Sequence, residues 1–225
     1  MQRPACFAFL LLAAALPAPG AEPAAQSAPV LALATYNINW GNADLPGVTR
    51  TIRKAEADVV ALQEVNAVSE AHLRKQFGRD YPHSVFKPGD AASGFGFLSK
   101  RPLENVQFVE PKHGFFGTYV ADVSAGGKTV QIVNVHLQPA IPKDGAGAAA
   151  IIALYQKTEA TRAKEMERIG ELLAKDRPVV VLGDFNSLPG GAAMTLLTGR
   201  GFKDSFAEAN PAEKQATTWH WKQQG

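Results

Sequence analysis

The sequence predicts a layered α/β domain, either one mixed sheet or two packed sheets with helices on the outside. Three observations lead there. Short β-branched or aromatic runs bounded by turn residues recur along the chain. One long segment carries apolar residues at helical spacing. The strands are joined by a hairpin in one place and by helical patterns in others, which implies a mixed sheet. With 225 residues and 46% hydrophobic content, the chain can bury one sizeable core, so a single domain is expected.

Taken in order, the chain opens on a segment to be set aside. Arg3 is followed by an apolar run, Cys6 to Ala15, and by small residues ending at Ala21. This is the order of a cleaved secretory signal over residues 1–21. The run falls well short of the ~20 residues that a spanning helix needs, which disfavours a membrane anchor. Residues 22–29, EPAAQSAP, read as a linker, and the folded domain is expected over 30–225.

Val30 to Ile38, Asp58 to Val65, Phe95 to Ser99 and Val179 to Leu182 read as strands. GTYVADVS and KTVQIVNVHL flank Ala125-Gly126-Gly127, a hairpin signal. Ala163, Met166, Ile169 and Leu173 place a helix within TEATRAKEMERIGELLAKD, with shorter helices at Pro46 to Ala57 and Ser69 to Phe77. Pro139 to Ala150 is Gly/Ala-rich and reads as a long loop.

Charge gives little direction. Removing residues 1–21 takes Arg3 from the 23 Lys and Arg, leaving 22 against 21 Asp and Glu, a net charge of +1. That balance supplies no basic footprint for nucleic acid or an anionic membrane. Cys6, the one cysteine, leaves with the signal, so the mature chain has no disulfide and belongs in the periplasm or outside the cell without using that redox environment.

Chemistry is concentrated where strands stop. Asn37 and Asn39 close TYNIN, Gln63-Glu64 closes VVALQEV, Asn134 and His136 close IVNVH, and Asp184 and Asn186 follow VVVLG. Strand residues two apart share a face, so each pair can aim polar groups at one spot. If the strand ends lie level, they form a pocket of carboxylate and amide oxygens with one imidazole. Such donors suit Mg²⁺ or Mn²⁺ and not zinc, for which no Cys/His cluster exists. A metal that keeps waters can polarise a phosphate while a side chain orients the attacking water. Taken singly, an Asn before a turn is more often a turn or cap residue, and a half-buried His is equally a packed core residue. It is the repetition at four strand ends that points to a site. His72, His83 and His113 lack that context and read as surface residues.

Two other patterns are set aside. AGGKT lacks the leading Gly of a phosphate-binding loop and precedes a strand, so it is a hairpin turn. GDFN without an Asp-x-His or Gly-Asn-His elsewhere does not make a dinuclear phosphatase.

TYNINWG, ALQEV, GFGFLSKRPL, VNVHLQP and GDFNSLPGG, in that order, resemble the endonuclease/exonuclease/phosphatase superfamily of DNase I-like metal-dependent phosphodiesterases, over Val30 to about Phe206. The resemblance implies a four-layer α/β/β/α sandwich with its site at one edge of the two sheets. It implies Glu64 as the principal Mg²⁺ ligand, Asn37 as a nearby ligand or water-holder, and Asp184 as the group orienting the nucleophilic water. Asn186 would support Asp184 and the phosphate, and His136 would contact the phosphate or the leaving oxygen. Asn39 and Asn134 are further candidates.

The superfamily pattern continues through an Arg-Ile-Asp strand to a final Ser-Asp-His, whereas this sequence ends shortly after Trp219-His220-Trp221. The domain therefore reads as C-terminally incomplete and without that strand, with His220 a poor substitute for the final His. The expected protein is a monomeric secreted or periplasmic Mg²⁺-dependent phosphodiesterase, nucleic acid being the favoured substrate. The alternatives are an inactive metal- or phosphate-binding remnant of the fold and a phospholipid or inositol-phosphate phosphoesterase. Lys87, Lys100, Arg101, Lys112 and Lys143 are the candidate nucleic-acid contacts, though scattered; GFFGTY at Gly114 to Tyr119 is either an exposed aromatic loop suited to lipid or a strand entry with buried Phe.

Overall fold

A computed structural model describes residues 31–212 and the backbone of 8–10. Two sheets stack face to face. The first has the order β1(Ala8–Leu10), β2(Leu33–Asn37), β3(Val59–Gln63), β5(Phe95–Ser99), β4(Val85–Lys87). The second runs β6(Leu103–Val109), β7(Thr118–Ala125), β8(Lys128–His136), β9(Val179–Asp184). β2 pairs with β3 in parallel, as β8 does with β9, and the remaining neighbours are antiparallel, so both sheets are mixed.

Each parallel pair needs a crossover, and helices supply it. α1(Leu45–Ala55) joins β2 to β3, and α3(Ala148–Gly170) joins β8 to β9. α1 is started by Asp44, whose carboxylate accepts from Gly47 N, and by Pro46 in its first turn, where a missing N–H costs nothing. α2(Ala67–Phe77) has a reciprocal cap between Asn66 and Ser69. Both helices lay Val48, Ile52, Leu73 and Phe77 against Val60, Leu62 and Leu98 on the outer face of the first sheet. Leu33, Ala61, Phe97, Tyr119, Ile132 and Leu182 fill the space between the sheets. Met166 and Ile169 of α3, with Ala193 and Leu197 of α4(Ala192–Gly199), cover Val133 and Val135 on the far side. Three apolar layers separate helix, sheet, sheet and helix, the four-layer sandwich that the sequence led us to expect.

The structure departs from expectation in several places. α3 begins at Ala148, ten residues before the helical pattern at Thr158, and shortens the expected loop to Pro139–Gly147. AAAIIALYQ is rich in helix formers, but Ile151 and Ile152 are exposed, so no apolar stripe marks that turn. β4 is three residues long. β6 is largely exposed and irregular between Glu104 and Gln107, with Asn105 at φ 49°, so it shows no alternation. α5(Ser205–Ala209) is one short turn. Ala8–Leu10, within the segment read as a leader, pair antiparallel with β2. No helix among the described residues is long and apolar enough to cross a membrane.

Candidate active site

Parallel pairing puts strand ends at one edge. β2 and β3 end together with Asn37 opposite Gln63, and β8 and β9 end together with His136 opposite Asp184. The two sheets are held in step by buried amides: Gln63 Nε2 donates to Asn134 Oδ1 (2.7 Å), and Asn134 Nδ2 donates to the carbonyls of Leu62 (3.0 Å) and Gly96 (3.3 Å). Four polar strand ends therefore meet over the inter-sheet core.

The backbone is bent there at local cost. Glu64 has φ 62° and Asn186 φ 47°, the left-handed region in which side chains other than Gly, Asn or Asp are rare. Gly183 has φ 144°, and a Cβ there would lie 2.0 Å from the Val135 carbonyl oxygen. Only glycine lets β9 lie this close to β8 while turning Asp184 towards the edge.

The carboxylates face each other across one amide. Asn37 Nδ2 donates to Glu64 Oε1 (2.8 Å) and to Asp184 Oδ2 (3.0 Å). Backbone N–H groups hold the remaining oxygens, Trp40 N on Glu64 Oε2 (3.0 Å) and Asn186 N on Asp184 Oδ1 (3.0 Å). His136 Nε2 stands 3.9 Å from Glu64 Oε1 and 4.0 Å from Asp184 Oδ2. Its ring is buried and stacks on Phe116, centroids 3.9 Å apart and planes within 9°. Burial pushes the His136 pKa below the ordinary value; Asp184, Glu64 and the Ala92 backbone favour the charged form but do not outweigh it. At neutral pH the imidazole is therefore neutral.

Five of the expected residues, Asn37, Glu64, His136, Asp184 and Asn186, come together at this edge. Asn186 does so through its backbone, since its side-chain Nδ2 donates to the Leu137 carbonyl (2.9 Å). Asn37 turns its nitrogen to the carboxylates and its Oδ1 to Asn39 N (3.0 Å). In this orientation it is a donor, and ligating a metal through its oxygen would cost those three hydrogen bonds. Asn39 is exposed, with φ 58°, and its own oxygen accepts from Gly41 N. The chain has left the strand by then, which defeats the two-residue periodicity. Asn134 does share a face with His136, but it lies deeper, fully buried between the sheets. His220 lies outside the described residues.

Sequence reasoning missed the Phe116 stack and, on α3, the part-buried Glu159 and the buried Arg162 and Glu165. A signal for the latter existed. Arg162 lies four residues before Met166 and seven before Ile169, a charge on the face of the apolar stripe at its N-terminal end.

The donor chemistry fits a hard divalent cation. Glu64 and Asp184 form no ion pair with Lys or Arg among the described residues, and their facing oxygens repel unless a cation or a proton intervenes. No cluster of three or more His, Cys, Asp and Glu suited to a metal occurs among the described residues. A cation here would rest on one or two carboxylates and keep most of its waters.

A model of the Endonuclease/Exonuclease/phosphatase family matches residues 34–225. Among solved structures, Staphylococcus aureus beta toxin with bound magnesium ions aligns at TM-score 0.56 and 19% identity, over 76% of this chain and 70% of that one. Sphingomyelinase C from Streptomyces griseocarneus aligns at 0.54 and 21%, over 75% and 68%. Humanized D. rerio TDP2 aligns at 0.54 and 15%, over 75% of this chain and 65% of that one. At these identities the likeness is one of fold. No sequence among the curated proteins matches the chain.

Proposed function

Because this chain belongs to the Endonuclease/Exonuclease/phosphatase family, we propose that its strand-end site is that of a Mg²⁺-dependent phosphodiesterase acting outside the cytoplasm. The observation that carries the reading is the single Asn37 amide joining Glu64 and Asp184 beside a neutral His136. Glu64, held by Asn37 and Trp40 N, would hold the metal. When bound, the metal would polarise a phosphate oxygen and offset the charge that develops in the transition state. Asp184 has one oxygen fixed by Asn186 N, which aims the carboxylate and suits it to orient a water for attack. His136 cannot swing, being stacked on Phe116, so its ring is a rigid partner for a phosphate or leaving-group oxygen. Phosphate esters are the expected substrates, and Mn²⁺ is the natural replacement metal.

The test is hydrolysis of bis-p-nitrophenyl phosphate by purified protein with Mg²⁺, with Mn²⁺ and with EDTA. Activity that survives EDTA, or none with either metal, would refute the reading.

A second reading of the substrate is favoured by the rim. Lys100 and Arg101 lie at the opposite end of the first sheet, where Lys100 bonds to the Glu56 carbonyl and Arg101 stands 3.7 Å from Asp58, so neither can serve nucleic acid at the site. Lys87, Lys112 and Lys143 do lie at the site's end, but the loops at that edge also expose Trp40 (51%), Phe115 (67%), Ile141 (69%) and Leu188 (61%). Apolar tips around a phosphate-ester site favour a phosphodiester presented at a lipid surface over DNA. Comparing turnover on sphingomyelin or phosphatidylcholine vesicles with turnover on plasmid DNA separates the two; faster cleavage of DNA would reject the lipid reading.

A further inference from the structure

The buried ionisable groups on α3 are expensive for a helix that has only to pack. Arg162 is fully buried and Glu165 nearly so, on the face that carries Met166 and Ile169. Apolar residues of similar volume would cover a sheet at less cost. What these groups contact is loop backbone at the site, and no strand. Arg162 Nη1 donates to the Gln138 carbonyl (2.7 Å), and Glu165 Oε2 accepts from Gln138 N (3.0 Å). Glu159, held by Arg162 Nε (2.8 Å), accepts from Ser187 Oγ (3.0 Å) and Ala192 N (2.6 Å).

We propose that Glu159, Arg162 and Glu165 form a positioning clamp that fixes the spacing of His136 and Asp184. Both gripped loops start at site residues: Gln138 is two past His136, and Ser187 three past Asp184. The loops are also tied to each other, because Leu137 N donates to the Asp184 carbonyl (2.9 Å) and Asn186 Nδ2 to the Leu137 carbonyl (2.9 Å). The circuit runs from α3 through Gln138 to Leu137, across to Asp184 and Asn186, and back through Ser187 to Glu159. None of the three clamp residues bonds to His136 or to the site carboxylates, so they act through the backbone. Misplacement of a reacting group by about 1 Å can cost ~10²-fold in rate. A rigid helix is a better anchor against such drift than the loops themselves.

The inference rests on the phosphodiesterase reading for its kinetic consequence but not for its structural one. In Arg162→Met and Glu165→Leu, kcat on bis-p-nitrophenyl phosphate should fall by about tenfold to a hundredfold while KM stays within about threefold. Combined with His136→Ala, each substitution should lower kcat by less than it does in the wild type, because one of the two groups it positions is gone. Amide exchange of Leu137 and Gln138 should accelerate in both variants and that of Ala192 in Arg162→Met, with Gln131 to Val135 of β8 unchanged; this is measurable without metal or substrate. Ser187→Ala, which deletes one bond from a partly exposed residue, should show a smaller version of the same pattern and serves if Arg162→Met does not fold. Losses that add in full to that of His136→Ala, or unchanged exchange at Gln138 in both variants and at Ala192 in Arg162→Met, would overturn the clamp. If the wild type does not hydrolyse the ester, the proposed function falls and the exchange pattern alone decides the clamp.

Discussion

Asn134→Ala should unfold the protein more readily. The Asn134 side chain is fully buried and makes three hydrogen bonds between the sheets, one from Gln63 and two to the carbonyls of Leu62 and Gly96. At about 1 kcal/mol net for each bond, their loss costs about 3 kcal/mol. Gln63 Nε2 retains Thr35 Oγ1 at 3.0 Å and is not orphaned, which keeps the figure from rising further. The small cavity left by truncation adds about 1 kcal/mol. For a domain of this size, each kcal/mol shifts the midpoint by about 2–4 °C, so the whole change corresponds to a fall in Tm of about 8–16 °C. Urea denaturation followed by far-UV circular dichroism measures the loss directly, and an unchanged m-value would show that it arises from the folded state. A destabilisation below about 1 kcal/mol would refute the account of Asn134 as an inter-sheet tie. Loss of metal binding in protein that remained folded would return it to the set of ligands.

Two further predictions follow from the same geometry and a third from the sequence. Burial raises the Glu165 carboxyl from its ordinary 4.5 to about 7, so the folded protein holds a proton that the unfolded chain releases; stability should fall as pH rises from about 4.5 to 7, by at most ~1.4 kcal/mol per unit, and level off above, and Glu165→Gln should flatten that slope. Identical pH profiles of Tm would contradict it. Gly183→Ala should cost about 2 kcal/mol or more, because φ 144° and a carbonyl oxygen 2.0 Å from the new Cβ leave no room without moving β9; a variant as stable as wild type in thermal melts would show that the strand relaxes. Protein recovered from its native host should begin near Ala21 or Glu22, and intact mass showing Met1 retained would reject export through a cleaved leader.

The parts of this molecule legible in the sequence are those that local chemistry specifies. β5 matches its FGFLS run residue for residue, and β7 and β8 meet where Ala125-Gly126-Gly127 marks the turn, because turn residues and alternation act over a few positions. β4 and β6 escaped because edge strands are short or solvated and carry no apolar rhythm. Within the site, Glu64 and Asp184 could be found as carboxylates at the ends of apolar runs. The side-chain direction of Asn39 could not, since it depends on a left-handed turn that the two-residue rule ignores. Nor could the difference between Asn134 and His136, which share a face and differ only in depth. The α3 clamp depends on contacts 24 to 33 residues apart in sequence, and only the anomalous Arg162 in an apolar stripe betrayed it.

The most direct test of the central claim is a Mg²⁺ titration of bis-p-nitrophenyl phosphate hydrolysis by the wild type, Glu64→Gln and Asp184→Asn. If Glu64 holds the metal and Asp184 orients the water, the wild type is active only with the metal and Glu64→Gln needs more Mg²⁺ to reach half-maximal rate. Asp184→Asn then loses ~10² to 10⁴-fold in rate. Wild-type behaviour in either variant, or hydrolysis undiminished by EDTA, would contradict the assignment of this site.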